Sequence, residues 1–246
     1  MAHTAVITGA SQGLGLALAD ALAERGWRLV IDARRPDRLE AAAEHLRART
    51  SVVALAGDVT DPDHRHALAA AATELGPVDL VVNNASTLGT SPLPRLTEID
   101  PDALAATFAV NVVAPVALVQ ALLPALAGRP TIVDISSDAG VEAYETWGGY
   151  GASKAALDHI SRVLAAERPT WRVLAVDPGD MRTEMHQDAF PGEDISDRPE
   201  ATERIPALLH LLDGDQPSGR YELADLIDLP TATPDGASGP SPEVAP

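Results

Sequence analysis

The sequence predicts an α/β protein built as a single, doubly wound parallel sheet with helices on both faces. Three observations carry this. Short β-branched runs alternate with longer alanine- and leucine-rich segments along most of the chain, as in repeated strand–helix–strand units. The strand runs are nearly continuous in apolar residues, as at 80–82, which suits strands covered on both faces. A chain of 246 residues also holds one large α/β core but not comfortably two.

In order, strands are expected at 4–8, 28–32, 51–57, 78–83, 131–136 and 171–177, with helices near 13–25, 36–48, 62–75, 101–127 and 149–167. No internal repeat interrupts the alternation. Residues 179–200 carry charges, two prolines and glycine without a clear period, and 180–205 is expected to be a mobile loop over the substrate. A helix is expected at 201–212 and a last strand at 219–224. From residue 229 onward proline, glycine, serine and acids dominate. Such a segment buries too little apolar surface to offset chain entropy, so the expected domain is 1–228, followed by a disordered tail at 229–246.

Composition narrows the function. Thirty-six acids against 18 bases give a net charge of −18, which repels phosphate backbones and argues against nucleic-acid binding. Apolar residues make up 46%, without a purely apolar run of 18 or more, so no membrane partner is expected. There are no cysteines, which excludes disulfides and thiolate metal sites; no metal is implied. The chain opens almost directly on a strand-like run rather than a basic-then-apolar signal, making the cytoplasm the expected location.

Chemistry concentrates in two places. Residues 8–15, T-G-A-S-Q-G-L-G, follow the first strand and open the first helix. Gly9, Gly13 and Gly15 let the backbone approach a pyrophosphate closely, and the helix start turns its N–H groups toward the anion. The second place holds the only lysine. Of 18 basic residues 17 are arginine, and the exception, Lys154, follows Tyr150 by four positions in Y-G-A-S-K. That spacing puts ammonium and phenol on one helix face. A compact ammonium also does what a flat guanidinium does not.

Together with these, G-D-V at 57–59, N-N-A at 83–85, Asn111, Ser136-Ser137 ahead of Tyr150, and D-P-G at 177–179 with Thr183 resemble the short-chain dehydrogenase/reductase family over roughly residues 4–185. The resemblance implies a Rossmann-type fold and hydride transfer between a nicotinamide cofactor and a carbonyl or secondary alcohol. It implies a tetrad: Tyr150 as general acid/base, Lys154 favouring phenolate and holding ribose hydroxyls, Ser137 bonding the substrate oxygen, and Asn111 bending its helix and holding a water in a relay to Lys154. It also implies cofactor contacts from Gly9, Ser11, Gln12, Gly13, Leu14 and Gly15 in the first turn. Further contacts are implied for Asp58, Val59, Asn84 and Ala85 beyond the third and fourth strands, for Pro178, Gly179 and Thr183 beyond the sixth, and for Tyr150 and Lys154. A homodimer or homotetramer is the expected assembly. Two departures stand out: Ser86 replaces the last glycine of N-N-A-G, and S-G-R-Y-E-L-A-D replaces the usual V-D-G-G near the C-terminus.

The end of the second strand bears on the cofactor. An acid there binds the ribose 2′-hydroxyl, and a small residue beside an arginine accepts a 2′-phosphate. In I-D-A-R-R (31–35) the deciding position falls on Ala33, with Arg34 next, favouring NADP over NAD. A register shifted by one would make Asp32 the ribose ligand of an NAD enzyme. His64 and His66 do not share a helix face, so a metal site there is not expected, and His186 reads as a solvated loop residue. Trp147 and Tyr144 fall where the family lines its substrate pocket, and Tyr144 reads equally as a surface residue. With Met181, Met185 and Phe190 following D-P-G, and Glu142 and Glu145 nearby, a neutral, partly hydrophobic carbonyl compound is expected over an anion. An epimerase or dehydratase with bound cofactor, or a nucleotide-binding regulator without turnover, is the alternative.

Overall fold

The computed structural model describes residues 2–226; the tail expected at 229–246 lies outside them. Seven strands, β1 (Thr4–Ile7), β2 (Arg28–Ala33), β3 (Val52–Ala56), β4 (Val78–Asn83), β5 (Leu126–Ile135), β6 (Arg172–Asp177) and β7 (Gly219–Glu222), form one sheet in the order β3-β2-β1-β4-β5-β6-β7. Every pairing is parallel. The order reverses between β1 and β4, and the crevice at the carboxyl ends of these two strands is where doubly wound sheets take ligands.

Successive strand residues face opposite sides. Ile7 and Ile31 therefore join Leu18, Leu22, Leu39 and Leu208 from helices α1 (Gly13–Glu24), α2 (Pro36–Arg47) and α8 (Ile205–Asp213). Their neighbours Val6 and Val30 join Leu68, Leu118 and Leu122 from α3 (Pro62–Leu75) and α5 (Ala114–Leu122). At ~25 cal/mol per Å² of apolar surface removed from water, these two layers supply the main stabilising force.

The long helix expected at 101–127 is divided. It runs as α4 (Pro101–Phe108), a π-helical turn at Ala109–Val113, and α5. Residues 101–122 are long and apolar enough to cross a bilayer, with mean hydropathy 1.8, but Leu118, Val119 and Leu122 are buried against the sheet. The chain leaves this helix early because β5 begins at Leu126, which pairs with Val78 before a register shift between Val78 and Leu80. Helix α6 (Gly148–Glu167) matches its expected span closely. The aperiodic 180–205 segment is not structureless. It contains α7 (Glu184–Ala189), whose N-cap Thr183 accepts a bond from the His186 amide at 3.2 Å, and Arg182 N–H donates to Pro199 at 2.8 Å.

Candidate active site

The β1–α1 turn is shaped by its glycines. Gly9 and Gly13 sit at φ 66° and 57°, a region unfavourable to L side chains. Gly15 is required by space: a Cβ there would lie 2.5 Å from Asn84 Nδ2 and 2.6 Å from the Gly9 carbonyl. Asn84 in turn donates from Nδ2 to the carbonyls of Thr8 (2.8 Å) and Gly9 (3.1 Å), tying the turn to the end of β4. The start of α1 has no side-chain cap and no acid in its first turn, whereas α3 and α4 are capped by Asp61 and Asp100. Its first N–H groups are therefore left to an anion. This open, Cβ-free cradle fits the pyrophosphate of a dinucleotide.

The turn forms one side of a cleft of about 680 Å³. Around it stand Ser11, Gln12, Leu14, Arg34, Asp58 and Val59 at one end, with Asn84, Ala85, Ser137, Tyr150 and Lys154 further along. Pro178, Gly179 and Thr183 form the opposite rim. Among the residues named from sequence for the cofactor and the reaction, Gly15 and Asn111 do not line this space; Gly15 packs behind the turn against Asn84. Asn111 is fully buried beneath it.

Tyr150 and Lys154 are both buried, and Nζ lies 5.4 Å from the ring centroid. Burial pushes the Tyr150 phenol above its ordinary value, Asp177 and Asp138 add to this, and the hydroxyls of Ser137 and Ser86 oppose it. Burial lowers Lys154 to about 8 against the pull of Asp134, Asp158 and Asp177. Desolvation, which disfavours the charged form, is the largest cause of both shifts. Ser137 Oγ donates to Asp138 Oδ1 at 2.9 Å and accepts from Ala139 N–H at 3.2 Å. Ser136 is buried, and its hydroxyl has no partner among the described residues.

Asn111 is tied into its surroundings by its whole side-chain amide. It sits in the π turn, so the helix is indeed locally altered. Its Oδ1 accepts from Thr87 N–H (2.9 Å) and Ser86 Oγ (3.1 Å), and its Nδ2 donates to the Thr87 carbonyl (2.8 Å) and Ser153 Oγ (2.9 Å). An amide has two donors and two acceptor sites, and all four are engaged. The side chain thereby fixes the 86–87 segment against α6.

Two residues are underrated by the sequence. His186 is no solvated loop residue: its side chain is 10% exposed, its Nε2 is buried without a partner among the described residues, and it lines the cleft. It packs on Phe190 four residues later, at 4.9 Å between ring centroids, and Phe190 meets Trp147, which meets Tyr150 edge-on at 5.7 Å. The i, i+4 spacing of His186 and Phe190 is the signal that could have found this. Arg220 on β7 donates to Asp177 (2.9 Å), Asp158 (3.2 Å) and the Ser137 carbonyl (3.3 Å). The atypical S-G-R-Y-E segment thus clamps the strand end carrying Ser137. Met181 packs partly into the core beside α1 rather than wholly over the cleft. Tyr144 is half exposed, and its hydroxyl donates to Asp138 at 3.0 Å.

The short chain dehydrogenase family model matches residues 3–194. The chain belongs to that family. An uncharacterized oxidoreductase of Mycobacterium tuberculosis is 38% identical over 185 residues, 73% of this chain and 69% of the relative. Sepiapterin reductase of Meriones unguiculatus is 35% identical over 218 residues, covering 82% of each chain. Among solved structures, the alcohol dehydrogenase of Thermococcus sibiricus complexed with 5-hydroxy-NADP superposes with a TM-score of 0.81 at 28% identity, over 90% of this chain and 96% of that one. This short chain dehydrogenase is accordingly an NAD(P)-dependent oxidoreductase with a seven-stranded Rossmann-type sheet.

Proposed function

We propose that this enzyme reduces a carbonyl, or oxidises the matching secondary alcohol, on a small, neutral, partly hydrophobic molecule with NADP as cofactor. The observation carrying this reading is the convergence of Ser137, Tyr150 and Lys154 on the cleft that the glycine turn opens. The bound nicotinamide supplies or takes the hydride. The protein's part is the proton: Tyr150, kept protonated by burial, donates from its phenol Oη to the substrate oxygen, and Ser137 Oγ orients that oxygen. Lys154 lies close enough to the phenol to stabilise the phenolate left behind and to hold ribose hydroxyls.

For the cofactor, Asp32, Ala33 and Arg34 all border the cleft, but the Asp32 side chain is 1% exposed and bonded inward to Gly9 and His64. That arrangement favours a 2′-phosphate, with Arg34 as its partner, and the NADP derivative in the Thermococcus structure supports it. Gln12 is bonded to Arg38 and Glu184, so the basic group at this rim comes from Arg38. Trp147, Met185 and His186 beside Asp138 and Asp180 favour a neutral ring or chain over an anion. Residues 180–205 act as the substrate lid. Val113, Leu123 and Val163, apolar yet exposed on the helices, support a homodimer or homotetramer. The test is a panel of ketones and alcohols followed by NADPH absorbance. Efficient turnover of a small 2-oxo acid in preference to neutral ketones would contradict the substrate class.

A further inference from the structure

Strand β2 ends in Asp32 and Ala33, with Arg34 next, so a carboxylate stands two residues from the arginine assigned to the 2′-phosphate. An acid at this end of β2 is the device by which such folds select a free ribose hydroxyl. Facing the cleft, it would repel a phosphate. Here both of its oxygens are engaged elsewhere. Oδ1 accepts the Gly9 N–H at 2.8 Å, and Oδ2 lies 3.0 Å from His64 Nε2. The main-chain oxygen of Asp32 also accepts from Ala10 N–H at 2.9 Å. His64 comes from the first turn of α3, and the pair is almost completely buried, with side chains 8% and 1% exposed.

The site is built around the imidazole. A Cβ on Gly57 would overlap the His64 ring, although Gly57 is not among the glycines with positive φ. The glycine of G-D-V is therefore required by the histidine and not by its own backbone. The neighbouring acid, Asp58, accepts through Oδ1 from Thr60 N–H and Oγ1 at 2.8 and 2.7 Å and borders the cleft beside Arg34, which helps hold it charged. Arg34 and Arg35 are the cations that line the cleft at this end.

We propose that His64 is a specificity-determining residue: it holds the Asp32 carboxylate against the glycine turn, so that the end of β2 presents Arg34 and not an acid to the adenosine ribose. Without His64, Asp32 keeps only the Gly9 bond, and a buried, half-paired carboxylate is driven toward solvent. Its nearest opening is the cleft edge, which it already lines. From there it accepts a 2′-hydroxyl and opposes a 2′-phosphate. The inference rests on reading this cleft as an NADP site.

The test is equilibrium binding of NADPH and of NADH to the full chain by calorimetry. A ratio of affinities near one in the unaltered protein overturns the NADP reading, and the change in that ratio on substitution judges His64 separately. His64→Leu is expected to lower the NADPH-to-NADH ratio roughly tenfold, the effect of a single charge-assisted hydrogen bond. His64→Gln, whose amide places a donor where Nε2 stands, should keep the ratio. Adding Asp32→Asn to His64→Leu should restore it, because the harm comes from the freed charge. If His64→Leu does not fold, Gly57→Ala displaces the ring instead and should lower the ratio in the same way. An unchanged ratio, equal weakening of both nucleotides, or a loss that Asp32→Asn does not reverse would each overturn the proposal.

Discussion

Lys154 Nζ lies 5.4 Å from the centre of the Tyr150 ring, yet among the described residues its hydrogen bond goes to the Ile135 carbonyl at 2.7 Å. The ammonium is anchored to the end of β5, next to Ser136 and Ser137, while α6 carries it and the phenol. Strand and helix thus fix the two groups against each other. Replacing lysine by arginine would lose this, since a planar fork does not fit a position shaped for a compact charge.

From this arrangement, Tyr150→Phe is expected to abolish turnover while leaving NADPH affinity close to unaltered, because only the proton donor is removed. Lys154→Met should damage both, as the ammonium serves phenol and ribose. Single-turnover rates together with nucleotide titrations separate the two. A Tyr150→Phe protein that still reduces its substrate at a comparable rate would remove tyrosine from the mechanism.

Lys154 also sets a pH dependence of stability. Its folded value is about 8, against 10.5 for a free lysine. Below 8 both states hold the proton, and burying the charge costs stability. Between 8 and 10.5 the unfolded chain holds a proton that the folded one has released, so this cost fades and stability rises with pH. Tyr150, shifted upward, works in the opposite direction, and only above its ordinary value of 10, where the unfolded chain loses its proton first and stability falls. Urea melts from pH 8 to 10 should therefore show the unaltered protein gaining on Lys154→Met. A constant difference across that interval would place the ammonium in a far more hydrated setting.

For the cofactor, Arg34→Ala should erase most of the NADPH preference, by about 1.5–3 kcal/mol, as for a lost hydrogen bond to a charged group. NADH affinity should hardly move. Loss shared equally by the two nucleotides would mean that Arg34 touches something common to both, such as the adenine.

How much of this is legible in the sequence depends on where the signal is local. The glycine turn and the Tyr150–Lys154 spacing are written in adjacent residues, and strands such as 78–83 appear where apolar runs end at turn residues. The early start of β5 is hidden because Leu126 pairs with Val78, far back in the chain, and no local pattern announces a partner. Arg220 escapes notice for the same reason: its meaning lies in Asp158, Asp177 and the Ser137 carbonyl, all distant in sequence. The helix position of Asn111 is readable locally, but only its four partners reveal that its amide is already saturated.

Residues 180–205 give the remaining prediction. Glu184 on α7 reaches the β2–α2 side, 2.6 Å from Arg38 and 3.6 Å from Arg35, and accepts from Gln12 at 3.2 Å. All four side chains are well exposed, so these pairs contribute little and open at small cost. An incoming 2′-phosphate would compete for the same arginines. The helix is otherwise held by the Thr183 cap and by the His186–Phe190–Trp147 stack, with Met185 and His186 over the cleft. Hydrogen exchange in 180–205 should accordingly be fast in the free protein and slow once cofactor and substrate are both bound. Glu184→Gln should speed exchange in the free protein alone, because its contacts belong to that state. Protection already high without ligand and unchanged on binding would make the segment a fixed wall, and substrate entry would then have to pass beside the 88–91 loop, which lines the same cleft.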